Sequence, residues 1–304
     1  MSTETNKIAS MLVIGVGTSG GKAIHYMMTQ NRKGINFVVI NADQQRFSPL
    51  PTLTSLSISL PEDAPSSASE QHKAKLQELL HGIDIVCIVG GMGGRTGTHT
   101  ALMVAQMAKA YGALLVGFVT RPFDFEGVER SQCAEEGIQQ LTPYVDTLIT
   151  IPNQRLYTPE VEALSPEEGF RKSNTALYLA IESIIDIQRS VQWTVDLNDV
   201  HTYMKNGGLG LFGYGYARGE DSLMDAMHKS MQSVLLDATP ITKATSVLVA
   251  MTTSPDISFF DVHQVMNLMS EDFHDDAYVI FGWVVDENLI GSKVRFIATK
   301  MDLP

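Results

Sequence analysis

The feature that most constrains this chain is a series of strand-length runs that are apolar from end to end: SMLVIGVG, FVVINAD, IDIVCIVGG, ALLVGFVTRPF and TLITIPN. A strand with one wet face alternates apolar and polar residues, so an unbroken apolar strand needs cover on both faces. Helical patterns separate the runs, at GGKAIHYMMTQNR and near residues 68–82, 98–111 and 127–141. Strand and helix in alternation predict a doubly wound, mostly parallel α/β sheet. Between the second and third runs, residues 48–70 hold four prolines and many serines, and read as a long connection with room for one short strand.

The pattern changes at Pro166. From there to Trp193 no glycine follows Gly169, and Leu177, Ala180, Ile181, Ile184, Ile185 and Ile187 recur at helical spacing. This is one long helix, a compact joint between domains. Beyond it come a helix after TVDLNDV, the turn-rich stretch NGGLGLFGYGYARGED, and a helix near 220–235. The strand-like runs ATSVLVAMTT, DAYVIFGWVV and SKVRFIAT follow, with the helix FFDVHQVMNLMSEDF after the first of them. The expected division is a nucleotide-type domain over 1–165, a central helix over 166–193, and a smaller α+β domain with a mixed sheet over 194–304.

Charge and composition exclude several classes. A formal charge of −12 repels nucleic acid and anionic membrane surfaces alike. The apolar runs fall short of the roughly 18 residues of a membrane span, and MSTETNKIAS lacks the basic start and apolar core of a signal peptide. A cytoplasmic protein without membrane insertion is expected, and the two cysteines, Cys87 and Cys133, fit that reducing setting as ordinary core thiols. The eight histidines show no zinc spacing, and SEDFHDD lacks the spaced ligands of a calcium loop, so no protein-bound metal site is expected.

Two glycine loops carry the chemistry. GVGTSGGK places Gly15, Gly17 and Gly20 in GxGxxG spacing between a strand and a helix, where backbone amides and a helix dipole hold phosphate. Alone, that loop also suits a nicotinamide enzyme, with Asp43 as the ribose acid. It is not a Walker loop, because Val16 and Ala23 stand where that motif needs glycine and a hydroxyl. The second loop, GGMGGRTGTHTA from Gly90 to Ala101, also joins a strand to a helix. Two converging loops favour a nucleotide whose phosphates are held from two sides without a lysine hook.

The residues of the second loop, with INADQQ, RPFDFEGVERSQCAEEGI, DTLITIPNQRL, VDLNDVHTYMKNGG and IFGWVVDENLIGSKVRFIAT in order, resemble the FtsZ family of the tubulin superfamily over about residues 9–300. The resemblance implies a guanine nucleotide site for GTP or GDP, with Mg2+ as a companion ion. Its phosphate side would comprise Gly17, Gly20, Gly21, Lys22, Asn41, Gly93, Gly94, Arg95, Thr96, Gly97 and Thr98. Glu126 and Arg130 would lie along ribose and base, Asn153 would bond the sugar or base, Phe170 would stack on guanine, and Asn174 would bond its edge. An aromatic face and side-chain amides suit a flat purine. Read singly, Glu126 and Arg130 are a surface ion pair, Asn153 a turn residue and Phe170 core.

The same resemblance implies head-to-tail self-association, in which Asp196 and Asp199 of one subunit polarise the attacking water in the next. An aspartate in that place also caps the helix that begins near 200. A further FtsZ-like or membrane-linked partner is expected in a division-like or membrane-remodelling role.

Departures from the family gather on the phosphate side. Arg95 and His99 stand for loop glycines, Lys22 for an asparagine, and SLPEDAPSSASE for the glycine-rich segment that reports the γ-phosphate. A left-handed backbone at Arg95 would cost about 1 to 2 kcal/mol. The cations offer charge-assisted bonds to phosphate in exchange. Binding with slow or weakly coupled hydrolysis is expected, and a non-hydrolysing scaffold is the alternative. The chain stops at ATKMDLP, where the family usually continues into a linker and a partner-docking peptide; a protein complete at that point would not build an ordinary division ring.

Overall fold

Strand β1 (Met11–Val16) is buried at every residue, and it lies at the centre of a parallel sheet. The computed structural model describes residues 9–30, 35–41, 53–56, 67–156, 165–190, 195–233 and 241–301. After β1 the chain forms α1 (Gly17–Thr29), β2 (Ile35–Ile40), β3 (Leu53–Leu56), α2 (Ser67–Leu80) and β4 (Ile85–Gly91). It continues through α3 (Arg95–Lys109), β5 (Leu114–Arg121), α4 (Val128–Leu141), β6 (Thr147–Pro152) and the long α5 (Pro166–Gln188). Two compact units result, Ala9–Tyr178 and the residues from Leu179 onward, so the division falls inside α5.

In the N-terminal unit the strand order is β3-β2-β1-β4-β5-β6, and every pairing is parallel. The apolar runs therefore do what their composition predicts. Leu12, Ile14, Val86, Ile88, Leu115 and Val119 are buried with Ala101, Val104, Ile138 and Leu141 of the covering helices. Each of the valines, leucines and isoleucines contributes about 1.5 to 3 kcal/mol by leaving water. The strand order reverses between β1 and β4, since β1 leads to β2 on one side and β4 to β5 on the other. An open sheet has its ligand crevice at the carboxyl ends of the strands that flank such a reversal.

The C-terminal unit adds α6 (Leu197–Met204), β7 (Gly208–Ala217), α7 (Ser222–Met231), β8 (Ala244–Thr253), α8 (Phe259–Glu271), β9 (Tyr278–Val285) and β10 (Ser292–Met301). Its sheet runs β7-β10-β8-β9, antiparallel except for the parallel β8–β9 pair. The mixed sheet expected from the sequence is present. One reading is corrected: within the stretch expected to be turn-rich, Gly208–Ala217 is strand β7, and a turn precedes it at Asn206. Gly213 and Gly215 are explained by packing, because a Cβ on Gly215 would meet the Ala226 carbonyl oxygen at 1.9 Å and one on Gly213 the Ser230 carbonyl oxygen at 2.7 Å. Absent side chains let α7 lie directly on the strand.

Inside this unit the far half of α5 is fixed by charge. The Arg295 guanidinium of β10 is fully buried and pairs with Glu182 and Asp186, at 2.9 Å for Asp186, and it also donates to Thr252 of β8. Glu182 and Asp186 are four residues apart, so both face the same strand. Removing one partner of a buried ion pair leaves an uncompensated charge, which costs about 3 to 5 kcal/mol. Arg295→Met should therefore lower the thermal unfolding midpoint by many degrees, read by differential scanning calorimetry; a midpoint within two degrees of wild type would contradict this account.

Candidate functional site

The carboxyl end of β1 enters α1 with no intervening loop, and β4 enters α3 through Met92–Gly94. Gly17 has φ +66°, and a Cβ there would lie 2.9 Å from the Cα of Gly97 in the first turn of α3. The starts of the two helices are thus in backbone contact. Neither carries a side-chain cap or an acidic residue in its first turn. Their leading N–H groups and the positive ends of both dipoles face the same sheet edge, an arrangement suited to an anion. Gly20 has a different duty, since a Cβ would meet the Val89 carbonyl oxygen at 2.4 Å, and it lets α1 pack on β4. Gly21 is buried beside it.

The second loop is held from behind. Gly93 has φ +92°, and a Cβ there would fall 2.4 Å from the Arg130 carbonyl oxygen, so the loop passes directly against α4. Its amide donates to Thr98 Oγ1 at 3.1 Å. Gly94 is the residue before the helix, with extended backbone, and Arg95, Thr96 and Gly97 form the first turn of α3. The expected left-handed strain at Arg95 is absent: among the described residues the only non-glycine positive φ values are at Asn206 and Lys300. The helix begins three residues earlier than its periodicity predicts, which takes Arg95 into right-handed geometry and leaves the unusual dihedral to Gly93. Arg95 and His99 stand exposed one turn apart, and His99 Nδ1 contacts the Arg95 carbonyl oxygen at 2.9 Å.

A cleft of about 320 Å3 opens on this edge. Thr18, Ser19 and Lys22 of α1 form one wall, with Gly91 and Met92 at the end of β4. Thr120 is the penultimate residue of β5 with Pro122 just after the strand, Glu126 and Arg130 flank the start of α4, and Asn153 follows β6. The first half of α5 closes it with Phe170, Ser173, Asn174 and Leu177. The volume lies in the range of small-molecule sites.

Several of these groups are held in place. Glu126 Oε1 accepts the Phe123 amide at 2.9 Å, and its other oxygen pairs with Arg130 at 3.2 Å. Asn153 is buried and accepts from the Ser173 hydroxyl at 2.6 Å, which occupies its oxygen and leaves the amide nitrogen as the remaining donor. Phe170 stands edge-on to the buried Phe123, with centroids 5.4 Å apart. At the end of β2, next to β1, Asn41 is buried and its Nδ2 has no partner among the described residues. A buried donor without a partner is costly unless a ligand satisfies it.

The structure brings Lys22, Glu126, Arg130, Asn153, Phe170 and Asn174 into one wall, with the glycines and Asn41 along the same strand ends. Arg95, Thr96 and Thr98 are not in that wall. Asp196 and Asp199 belong to the other unit, where they make a reciprocal cap on α6: Asp199 N donates to Asp196 Oδ1 at 2.8 Å and Asp196 N to Asp199 Oδ2 at 3.0 Å. Thr18, Ser19, Thr120 and Ser173 were missed by sequence reasoning. Thr18 and Ser19 lie inside the first glycine loop, and their hydroxyls were the available signal. Asp43 and most of SLPEDAPSSASE lie outside the described residues. Among the described residues no group of three or more His, Cys, Asp or Glu is placed to hold a metal, and no helix is long and apolar enough to cross a membrane.

A doubly wound sheet whose reversal point carries two uncapped helix starts and an aromatic-and-amide cleft is the architecture of a nucleotide-type α/β domain. The family model described as the GTPase domain of the tubulin/FtsZ family matches residues 61–159, and the FtsZ C-terminal domain model matches residues 208–302. The cell division protein FtsZ of Azotobacter vinelandii is 36% identical over 293 residues, 92% of this chain and 74% of that protein. An FtsZ of M. jannaschii, solved as an empty dimer, is 27% identical with a TM-score of 0.86 over 98% of this chain and 92% of its own. A CetZ from Methanosaeta thermophila shares the fold at 19% identity, with a TM-score of 0.73 over 97% of this chain and 87% of its own. The chain belongs to the FtsZ family.

The cleft wall from α5 depends on that helix's first turn. Ser165 N donates to Glu168 Oε2 at 2.8 Å, Ser165 Oγ lies 3.0 Å from the same oxygen, and Glu168 N donates back to Ser165 Oγ. The backbone bond first, and the hydroxyl second, hold the Glu168 carboxyl below its ordinary range. A carboxyl lowered on folding stabilises the helix end above its unfolded pKa, and the contribution is lost as pH falls through the folded value. Intrinsic amide exchange slows as pH falls, so the quantity to follow is the protection factor: at residues 167–169 it should drop on acidification through that window, and Glu168→Gln should flatten the response; unchanged pH dependence in that variant would refute the cap.

Proposed function

We propose that the cleft binds GTP or GDP and that the chain is a GTPase whose active site is completed by a second copy stacked head to tail. The observation that carries the reading is the convergence of Phe170, Asn153 and Asn174 in one cleft with the uncapped start of α1, against which the equally uncapped start of α3 packs. A purine offers a flat π face and an edge of mixed donors and acceptors. Phe170 supports the face, Asn174 the edge, and the Asn153 nitrogen the sugar or base. Glu126 and Arg130, fixed to each other, line the ribose side.

The polyphosphate is held by the amides at Gly17 and Gly93–Gly97 and by the two dipoles, with Gly20 and Gly21 securing the approach. Lys22 from the wall and Arg95 from the first turn of α3 supply side-chain cations, and Asn41 offers its buried donor. Thr96 and Thr98 shape the turn that presents those amides. A magnesium ion would enter with the phosphates, which together with water supply most of its ligands. Asp196 and Asp199 each keep one carboxylate oxygen outside their mutual cap, and these polarise the attacking water in the neighbouring copy. A cytoplasmic filament in a division-like role, with a further FtsZ-like or membrane-linked partner, is the setting this chemistry suits.

Nucleotide identified by chromatography after denaturing the purified chain should be guanine, and labelled GDP should bind at micromolar protein. Loss of base stacking removes about 1 to 3 kcal/mol, so Phe170→Ala should weaken binding about tenfold or more. Asp199→Asn keeps an oxygen for the Asp196 amide but removes the charge. It should leave nucleotide affinity within about twofold and abolish phosphate release. Binding without release in the unaltered chain would favour a nucleotide-dependent scaffold, and no guanine nucleotide binding would end the reading.

A further inference from the structure

Helix α6, which carries the Asp196–Asp199 cap, has eight residues. A helix that short does not hold itself in water, so its direction is decided by what it is fastened to. Four residues after Asp199, on the same side of the helix, Tyr203 is 1% exposed and reaches into the sheet. Its hydroxyl accepts from Val247 N at 3.1 Å and from Ile280 N at 2.9 Å, and it faces the carbonyl oxygens of Val247 and Tyr278 as a donor. Val247 is paired with Val279 in the parallel β8–β9 ladder. A parallel ladder in that register would join Val247 N to Tyr278 O and Ile280 N to Val247 O. The hydroxyl stands among those four groups, with both its lone pairs and its proton engaged.

Other bonds fasten the same end of the helix. Thr299 Oγ1 donates to the Tyr203 carbonyl oxygen at 3.4 Å, and Lys300 Nζ donates to that of Thr202 at 2.9 Å. At the leading end the two aspartates bond each other.

We infer that Tyr203 is a positioning residue for hydrolysis: by locking the C-terminal end of α6 into the β8–β9 ladder, its hydroxyl aims the acidic pair at the other end. The inference rests on the reading of Asp196 and Asp199 given above. It touches neither nucleotide nor water itself. Because β8 and β9 are already paired through Val247 and Val279, the ladder does not depend on the hydroxyl and stays intact when it is removed. The fold then survives while the helix loses the hydroxyl's part of its fastening and keeps the bonds from Thr299 and Lys300.

Tyr203→Phe in the full chain tests this. Labelled-GDP affinity should stay within about twofold of wild type, while phosphate release from GTP should fall at least tenfold. Amide exchange at residues 198–200 should accelerate at least tenfold, with little change in β8. Mixing the variant with Phe170→Ala chains, which bind nucleotide weakly but keep an intact α6, should restore part of the release, because each functional interface takes its cleft from one chain and its acidic pair from the other. A general loss of structure would not be restored by mixing. Wild-type release, or a loss of release that mixing does not restore, would overturn the inference. If the unaltered chain releases no phosphate, the hydrolysis reading fails separately. The exchange measurement then decides whether Tyr203 fastens α6, and unchanged exchange at residues 198–200 overturns it.

Discussion

The arrangement of the N-terminal unit depends on one close approach. At the point where the strand order reverses, the first turn of α1 and the first turn of α3 meet with their backbones in contact, Gly17 against Gly97. Any Cβ there would separate them. The consequence is that two helix dipoles and two sets of free amide groups share one small volume. A polar surface of that kind is poorly satisfied by the protein itself, since neither helix has a side-chain cap. It is a candidate site because its own chain leaves it incomplete.

Helix α5 serves each unit with a different half. Its first turns present Phe170, Ser173 and Asn174 to the cleft, and its last turns present Glu182 and Asp186 to Arg295. One half is defined by polar groups that face a ligand-sized space, the other by charges that are sealed from water. A continuous helix carries both patterns because their residues fall at helical spacing on their respective faces. The Glu168 cap at one end and the Arg295 ion pairs near the other are the local interactions that keep each half in place.

Much of this was legible in order and composition. Apolar runs with helices between them determined the parallel sheet, because strands without a polar side must be covered twice. The two glycine loops located the ligand edge, and the alternation Asp196-x-x-Asp199 already contained a helix cap. Strand β7 was not legible: LGLFGYGYA looks like turns until α7 is seen lying on Gly215. The start of α3 was misread for a related reason. A glycine inside a helix normally weakens it, but Gly97 is placed there by the neighbour it must admit. The roles of Thr18, Ser19 and Thr120 in the cleft wall were hidden because such residues are common at turns and strand ends.

By itself, then, the sequence determined the sheet type, the family and the sheet edge on which the cleft opens, since hydrophobic period and loop chemistry are local properties of the chain. Tertiary structure alone decided which polar groups are already spent. Thr98 is bonded to the loop it belongs to, Glu126 to Arg130 and the Phe123 amide, and Asn153 to Ser173. It also decided that Arg95 and His99 stand on an exposed turn while Lys22 enters the wall. Which way a side chain faces, and whether its hydrogen bonds are free for a ligand, depends on residues distant in sequence, and no local pattern encodes it.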